Sequence, residues 1–230
     1  MGTRSLTVVR DNFHHESAEE EILVMYVQYD GYPSGHGADL LKFLRGMKVV
    51  NGYNSSMGGR LANGMPCLAA QLISNFKGGV GNCYAYPAGT RDCGEEYIYE
   101  IYCGPVQKDT GNPPHEFREL HLKVSDTYGE GHVLFDGPVT LRVKASSVVQ
   151  TGDTCPAQWE AETEDGQYVY VRYRWGTLRI DVAESKEAWL TSSNVVYQER
   201  LGLPFDGDIT WDSVVEATGL EILDEQKESK

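Results

Sequence analysis

The sequence predicts an α+β protein with a mainly antiparallel β core, two helices in the N-terminal lobe and one short helix near the C-terminus. Three observations lead to this fold class. Short segments rich in Val, Ile and Tyr recur between turn residues, as they do in strands. Two N-terminal segments place apolar residues at helical spacing. Residues 158–182 alternate apolar and polar side chains around short turns, which predicts a three-stranded antiparallel meander.

The N-terminal lobe is assigned to residues 1–150 and contains the two longer apolar helices. The first helix is predicted at 38–45, with Ser34 as a candidate N-cap, because a polar residue before an apolar periodic segment is typical of a helix start. The second is predicted at 65–76, where a proline suits the first turn. The strands of this lobe are predicted at 5–10, 22–29, 82–86, 96–103, 119–124, 133–136 and 140–144.

The C-terminal lobe is assigned to residues 151–230, after a turn-rich link at 150–156, and one continuous domain remains an alternative. Its meander consists of predicted strands at 158–163, 167–174 and 177–182. A last helix is predicted at 211–218, with Thr210 as N-cap and Gly219 as its end. The lobe finishes in a charged tail.

The composition limits the partners. Lys and Arg number 20 against 34 Asp and Glu, which gives a net charge of −14. Such a charge disfavours duplex nucleic acid and anionic membranes as general partners. No apolar run approaches the ~20 residues of a membrane-spanning helix, and the N-terminus lacks the apolar region of a signal peptide. Five cysteines without CxxC spacing argue against a disulfide framework or a zinc site. We therefore expect a cytoplasmic location, no cofactor and no structural metal, and leave a homo-oligomer open.

A glycine-rich turn between a predicted strand and a predicted helix is the most distinctive motif. Residues 29–37 read Tyr-Asp-Gly-Tyr-Pro-Ser-Gly-His-Gly. Backbone N–H groups at such a helix start can bind an anion, and at least one of them is expected to be free of protein partners. The candidate ligand residues are Tyr32, Ser34, Gly35, His36 and Gly37. The motif is neither a Walker loop nor a Rossmann fingerprint. The alternative is a tight structural turn that has Ser34 as its cap and leaves His36 on the surface.

Two arginines beside turns are further candidates. Arg60 follows a pair of glycines and can close over an anion; the alternative is a solvated arginine in a mobile loop. Arg91 lies in a turn between two strands, and at the mouth of a pocket it would be a bidentate anion ligand. The alternative for Arg91 is pairing with Asp92 or with the turn backbone.

The polar face of the meander gathers arginines and tyrosines in a chain of net charge −14. A nucleotide or another anion would suit such a patch. Its candidate ligand residues are Tyr170, Arg172, Arg174 and Arg179. The alternative is cross-strand pairing with acidic residues of the same sheet, which are Glu160, Glu162 and Asp181.

Three sequence segments carry a resemblance to other proteins. Residues 29–40 read Tyr-Asp-Gly-Tyr-Pro-Ser-Gly-His-Gly-Ala-Asp-Leu, and the other segments are 63–72 and 94–99. Together they resemble a group of uncharacterised proteins from bacteriophages and bacteria that share the first motif. The resemblance spans residues 3–103. It implies a prokaryotic cytoplasm and a phage accessory protein, and it brings no known activity or functional residues.

The leading functional hypothesis is non-enzymatic binding of a small anionic, nucleotide-like ligand, which in a phage setting means sequestering a host signalling nucleotide. No catalytic residue is assigned, because the common hydrolase, metalloprotease and deaminase signatures are missing. A second hypothesis is a phosphodiesterase-like hydrolase that uses His36 and Asp30 as an acid–base pair. A third is a protein-interaction module whose acidic surface docks a basic protein, with a strongly salt-dependent affinity.

Overall fold

The computed structural model of the chain describes residues 2–13, 20–52, 59–108, 114–129 and 131–223. The chain divides into two compact units, Met1–Val139 and Thr140–Lys230. Both units are built from strands and helices, so the predicted α+β class is confirmed. The division falls before the predicted link at 150–156. The reason is strand pairing, since Arg142–Lys144 and Val149–Gly152 pair with strands of the second unit.

The first unit is built on one eight-stranded sheet. Its strands are β1 (Ser5–Asp11), β2 (Glu20–Val27), β3 (Met47–Val50), β4 (Arg60–Asn63), β5 (Tyr84–Tyr86), β6 (Tyr97–Lys108), β7 (Glu116–Asp126) and β8 (Val133–Pro138). The order across the sheet is β4-β3-β7-β6-β1-β2-β5, and β8 also pairs with β7. Neighbouring strands are antiparallel except for β1 with β6 and β3 with β4, which are parallel.

Two helices of this unit bury their apolar stripes. They are α1 (Ala38–Leu44) and α2 (Gly64–Phe76), and both agree with the prediction to within one residue. Their leucines recur at helical spacing, so each helix presents one apolar face. The core that these faces form with the sheet includes the buried residues Leu40, Leu44, Met65, Leu68, Leu72, Met25, Tyr99, Ile101 and Leu122. This core holds the start of α1 and the end of α2 in fixed positions.

The start of α1 differs from the prediction. Ser34 is not its N-cap, because the residues Pro33–Gly37 form a π-type turn that leads into the helix and Gly37 occupies the cap position without a side-chain hydrogen bond. The turn is therefore stabilised by backbone hydrogen bonds and by packing rather than by a capping side chain.

The second unit contains a five-stranded antiparallel meander and a small parallel pair. Its strands are β9 (Arg142–Lys144), β10 (Val149–Gly152), β11 (Ala157–Glu162), β12 (Tyr168–Arg174), β13 (Thr177–Ala183), β14 (Asn194–Arg200) and β15 (Glu221–Leu223). The meander runs β10-β11-β12-β13-β14, and β15 pairs with β9. The three strands predicted by alternation are thus confirmed, and so is their apolar face, on which Val169, Val171, Leu178 and Ile180 are buried.

Two helices complete the second unit. α3 (Trp189–Ser192) has four residues and was not predicted, since a single turn gives no periodicity. α4 (Trp211–Thr218) has the predicted limits: the Thr210 side chain accepts a hydrogen bond from the N–H of Ser213, and Gly219 ends the helix in the left-handed conformation. The predicted charged tail at 224–230 lies outside the described residues.

Candidate functional site

The glycine-rich turn satisfies its own backbone donors. The N–H of His36 donates to the Asp30 carbonyl at 2.7 Å, and the N–H groups of Gly35 and Gly37 donate to the Tyr32 carbonyl at 3.0 and 3.4 Å. The expectation of a free N–H in this turn is therefore wrong. The chain reverses so tightly that a Cβ on Gly35 would lie 2.4 Å from the Asp30 carbonyl oxygen. The same tight reversal places the carbonyl oxygens of Asp30 and Tyr32 within hydrogen-bonding distance of the N–H groups of the turn. Anion binding by this backbone is not supported.

His36 is buried and not on the surface, contrary to the alternative reading of the motif. Its side chain is only 5 % exposed. The Nε2 atom of His36 and the Oγ1 atom of Thr7 on β1 are hydrogen-bonded at 2.8 Å. Burial lowers the pKa of His36 to about 4. The imidazole is therefore neutral at pH 7, and it supplies packing rather than positive charge.

Aromatic rings fix the position of His36. The imidazole makes edge-on contacts with Phe76 at the end of α2 and with Tyr99 on β6, at centroid distances of 5.1 and 5.6 Å. The Tyr99 hydroxyl donates to the Gly31 carbonyl at 2.8 Å. The sheet thus holds both the chain before the turn and the histidine within it. On the side facing the surface, Phe76 packs against Phe43, and the centroids of the two rings are 6.0 Å apart.

A surface groove lies over these rings, and we call it the α1–α2 groove. It consists of two adjoining hollows of about 440 and 460 Å³, which share Asp39, Phe76 and Asn82. The first hollow is also lined by Val27, Tyr29, Asp30, His36, Val80, Gly81 and Cys83. The second is also lined by Lys42, Phe43, Arg60, Asn75 and Gly78. Both volumes lie in the range of about 300–1,000 Å³ that is usual for small-molecule sites.

The two ends of the groove carry opposite charges. Asp30 lines only the first hollow and the exposed Lys42 and Arg60 line only the second, while Asp39 lines both. The Arg60 guanidinium lies 5.1 Å from the centre of the Phe43 ring. Its Nη1 atom is 3.4–3.5 Å from the carbonyl oxygens of Lys42 and Arg45 at the end of α1. The stacking orients Arg60 over the groove, while these long hydrogen bonds leave most of its donors available for a ligand.

The structure joins two of the sequence-predicted candidates and adds others. His36 and Arg60 line the same groove, whereas Tyr32, Ser34, Gly35 and Gly37 belong to the turn beside it. The lining residues that were not predicted from the sequence include Asp39, Lys42, Phe43, Asn75, Phe76 and Asn82. Three of them could have been predicted to lie together, because residues 39, 42 and 43 of the predicted first helix have the i, i+3, i+4 spacing that places side chains on one helix face.

Arg91 is bound within the protein rather than at a pocket mouth. Its Nη2 atom donates to Glu21 at 2.7 Å, and its Nη1 atom donates to the Thr90 carbonyl at 2.8 Å. Burial tends to raise the pKa of Glu21, but hydrogen bonds from Arg91 and from the Gly89 N–H keep that pKa below its ordinary value. The predicted ligand role of Arg91 is therefore not supported, because its guanidinium joins the 89–96 turn to β2.

The basic face of the meander is partly neutralised. Arg179 and Asp181 form a bidentate ion pair with a closest distance of 2.6 Å. Arg179 lies directly opposite Arg172 in the strand register, so this pairing also relieves the repulsion between two like charges. Glu160 pairs with Lys186 at 2.5 Å instead of with an arginine. Arg179 is therefore neutralised by an acidic residue as the alternative expected, but the pair lies along β13 and not across strands.

Two aromatic contacts involve the other candidates of this face. The Tyr170 ring packs against Trp189 of α3 at a centroid distance of 4.4 Å. The Arg174 guanidinium lies 4.0 Å from the centre of the Trp175 ring. Tyr170 is therefore a packing residue, while Arg172 and Arg174 remain partly exposed.

We expect the two opposed arginines to differ in their contribution to stability. Arg179→Ala leaves the buried Asp181 carboxylate unpaired, which should lower the free energy of unfolding by about 2 kcal/mol. Arg172→Ala removes a partly exposed side chain and should change it by less than about 0.5 kcal/mol. Urea unfolding of both variants beside the wild type measures the difference. Equal effects would contradict a stabilising role for the Arg179–Asp181 pair.

Other site classes find no support in the described part of the chain. Within the described ranges, no group of three or more His, Cys, Asp or Glu side chains could hold a metal ion. All five cysteines are free thiols. No helix among the described residues is both long and apolar enough to cross a membrane.

Comparison with other proteins adds no functional assignment. No protein-family model, no curated protein and no solved structure matches the chain. Function is therefore inferred from the chemistry of the α1–α2 groove.

Proposed function

We propose that the protein binds a small anionic, nucleotide-like ligand in the α1–α2 groove, without catalysis. The observation that carries the proposal is the placement of Lys42 and Arg60 at one end of a groove that has Phe43 and Phe76 in its wall. Two cations beside apolar rings suit a ligand that combines a phosphate with a flat ring system.

Each part of the groove has a role in this proposal. Arg60 offers a planar fork of donors that matches two phosphate oxygens, and Lys42 adds a point charge. The phenyl rings of Phe43 and Phe76 offer apolar edges to a base. Asn82 and Asp39 lie where the two hollows meet. The Asn82 amide can donate to and accept from ribose hydroxyls and base edges, and the Asp39 carboxylate can accept from ribose hydroxyls.

The acidic character of the chain gives these two cations particular weight. With a net charge of −14, the mean field of the protein repels an anion, so binding depends on local charges that outweigh this field at short range. Salt weakens attraction between exposed charges beyond about 8–10 Å, yet a phosphate in direct contact with Arg60 is screened much less. We therefore infer that affinity is concentrated at the basic end of the groove.

Hydrolysis by His36 and Asp30 receives less support than binding. A general acid or base works best when its pKa is near the operating pH. The pKa of His36 is about 4 and its ring is buried against Phe76 and Tyr99. A neutral, enclosed imidazole supports a structural role. In the cytoplasm of an infected bacterium, binding without turnover would sequester a host signalling nucleotide.

Reversing one cation of the groove is expected to abolish most of the binding. Small molecules released by heating the purified protein are first identified by mass spectrometry and then titrated calorimetrically into refolded protein. Arg60→Glu should weaken binding by about 100-fold, because a charge-assisted hydrogen bond is lost and a repulsion replaces it. Arg172→Glu in the second unit is the matched control and should leave the affinity unchanged.

The same experiment separates the competing hypotheses. Recovery of the ligand intact after prolonged incubation supports binding, whereas its conversion to a product would replace this proposal by hydrolysis. Loss of binding in Arg172→Glu with full binding in Arg60→Glu would move the site to the meander. The melting curve of Arg172→Glu should lie close to that of wild type, since substitutions away from buried contacts change stability by only about 0.5 kcal/mol. Arg60→Glu also loses the stacking on Phe43 and the hydrogen bonds to the end of α1, so its affinity is measured at a temperature below its own melting transition.

A further inference from the structure

His36 presents one ring nitrogen to the first hollow of the α1–α2 groove. The side chain is 5 % exposed and lines that hollow, while its Nε2 atom is hydrogen-bonded to the Thr7 hydroxyl in the interior. Among the described residues, no protein group is hydrogen-bonded to Nδ1, and this nitrogen is not one of the fully enclosed polar atoms that lack a partner. Nδ1 therefore opens on the hollow, where a bound molecule can reach it.

The surroundings of Thr7 decide which ring nitrogen carries the proton. Thr7 is completely buried, and within the part of the chain that the structure describes its hydroxyl is hydrogen-bonded to the His36 Nε2 atom alone. A buried hydroxyl proton without an acceptor is costly, so Thr7 donates and Nε2 accepts. A neutral imidazole has one N–H, and the pKa of about 4 keeps His36 neutral at pH 7. The proton is therefore on Nδ1, which faces the hollow as a donor.

A carboxylate supplies acceptors beside this donor. Asp30 is exposed and lines the same hollow. Its charge raises the pKa of Tyr32, so these two side chains are close together. An ionised carboxylate has two oxygens that only accept hydrogen bonds, and it can take two donors side by side. The first hollow thus offers one buried donor and a pair of acceptors, and no lysine or arginine of the described chain lines it.

This arrangement discriminates between nucleobases. Guanine carries a carbonyl oxygen, O6, next to two donors, N1–H and the 2-amino group. O6 can accept from Nδ1–H of His36, and the two donors suit one carboxylate. Adenine has an amino donor where guanine has O6, so it would bring a donor against Nδ1–H. Uracil has a second carbonyl where guanine has the 2-amino group, and this carbonyl would face the carboxylate.

We propose that the first hollow binds a guanine base, with Nδ1–H of His36 donating to O6 and the Asp30 carboxylate accepting from N1–H and the 2-amino group. The inference rests on the proposed nucleotide binding, because the phosphate of the same molecule lies against Lys42 and Arg60 in the second hollow. It deepens that function by naming the base. Adenine is rejected because it would leave a buried donor without an acceptor.

Calorimetric titration of nucleotides into the intact chain at pH 7 tests the role of Asp30. Guanosine 5′-monophosphate (GMP) should bind at least about tenfold more tightly than adenosine 5′-monophosphate (AMP). Asp30→Asn should instead prefer xanthosine 5′-monophosphate to GMP, because the Asn amide accepts from N1–H and donates to the 2-oxo group of xanthine. Asp30 has a φ of +56°, which Asn tolerates well, so this variant should remain folded.

The role of His36 is tested with a variant that keeps its inner contact. His36→Gln retains an amide near Thr7 but has no donor at the position of Nδ1, so the affinities of GMP and AMP should come within about threefold of each other. His121→Gln changes a half-buried histidine on β7 and is the matched control, which should keep the preference for GMP. Nitrogen-15 NMR of the ligand-free wild type at pH 7 should show His36 protonated on Nδ1.

The outcomes separate this inference from the function on which it rests. Equal affinities of wild type for GMP and AMP, with both weakened by Arg60→Glu, would overturn the guanine assignment and leave nucleotide binding in place. A proton on Nε2, an unchanged preference in His36→Gln or a retained preference for GMP in Asp30→Asn would also overturn it. Failure of every nucleotide to bind would remove both proposals.

Discussion

Lowering the pH from 7 to 4 is expected to reduce the free energy of unfolding by about 3 kcal/mol through His36 alone. The pKa of this histidine is about 4 in the folded chain, below its ordinary value of 6.5, because burial disfavours the charged imidazolium. Between these values the unfolded chain binds a proton that the folded chain does not. The stabilisation is therefore complete above pH 6.5 and is lost as the pH falls through 4.

The contribution of His36 can be isolated by comparison with a variant that does not titrate. His36→Gln keeps a polar group near Thr7 but carries no proton equilibrium in this range. Urea unfolding at pH 7, 6, 5 and 4 gives two profiles, and their difference removes the contributions of carboxylates and of His121, whose pKa is also lowered by burial. Parallel profiles would mean that His36 is accessible to protons in the fold.

Tyr99→Ala is expected to destabilise the first unit by about 4 kcal/mol, in the range found when large buried aromatic residues are truncated. Tyr99 is fully buried, and it contacts the His36 ring and donates to the Gly31 carbonyl. Its removal leaves a cavity beneath the turn at 33–37. The loss should also reduce ligand binding in the α1–α2 groove, since His36 and Phe76 would lose a common support.

Comparing Tyr99→Ala with Tyr99→Phe separates the contribution of the Tyr99 ring to stability from that of its hydroxyl. Tyr99→Phe keeps the ring and should cost about 1–2 kcal/mol, because the Gly31 carbonyl loses its donor. Tyr86→Phe, on an edge strand where the side chain is 39 % exposed, should change stability by less than about 0.5 kcal/mol. Thermal or urea unfolding measures all three. A cost for Tyr99→Ala no larger than for Tyr86→Phe would contradict the assigned packing.

The three central strands of the meander, β11 to β13, were predictable because their information is local, whereas β10 and β14 were not predicted. Alternation along β12 and β13 fixes which side chains are buried, and short turns fix which strands are neighbours. The capping of α4 by Thr210 and Gly219 is local for the same reason. In contrast, β3 and β4 have four residues each and form a parallel pair, so neither length nor alternation identifies them.

The candidate site was predictable only in part. Arg60 and His36 were recognised from their glycine-rich surroundings, but nothing local indicates that α2 brings Phe76 against His36. Packing decides this contact, and it also buries the histidine that the motif alone places at the surface. The pairing of Arg91 with Glu21 depends likewise on strand neighbours that are distant in sequence. Long-range packing therefore determined which of the predicted residues line the α1–α2 groove.

The position of β1 has a consequence for the way the chain acquires its structure. β1 occupies the interior of the large sheet, between β2 and β6, and its register with β6 joins Ser5 to Tyr97 and Val9 to Ile101. During synthesis the first strand leaves the ribosome with its hairpin partner, β2, but about 70 further residues separate the end of β2 at Val27 from the start of β6 at Tyr97, which covers its second edge. The second unit has the opposite character, since each strand of its meander pairs with the next one made. A nascent chain would thus carry an open, aggregation-prone strand edge through much of its first half. The meander of the second unit would form by local contacts as it emerges, and only the pairing of β15 with β9 would wait for the end of the described chain.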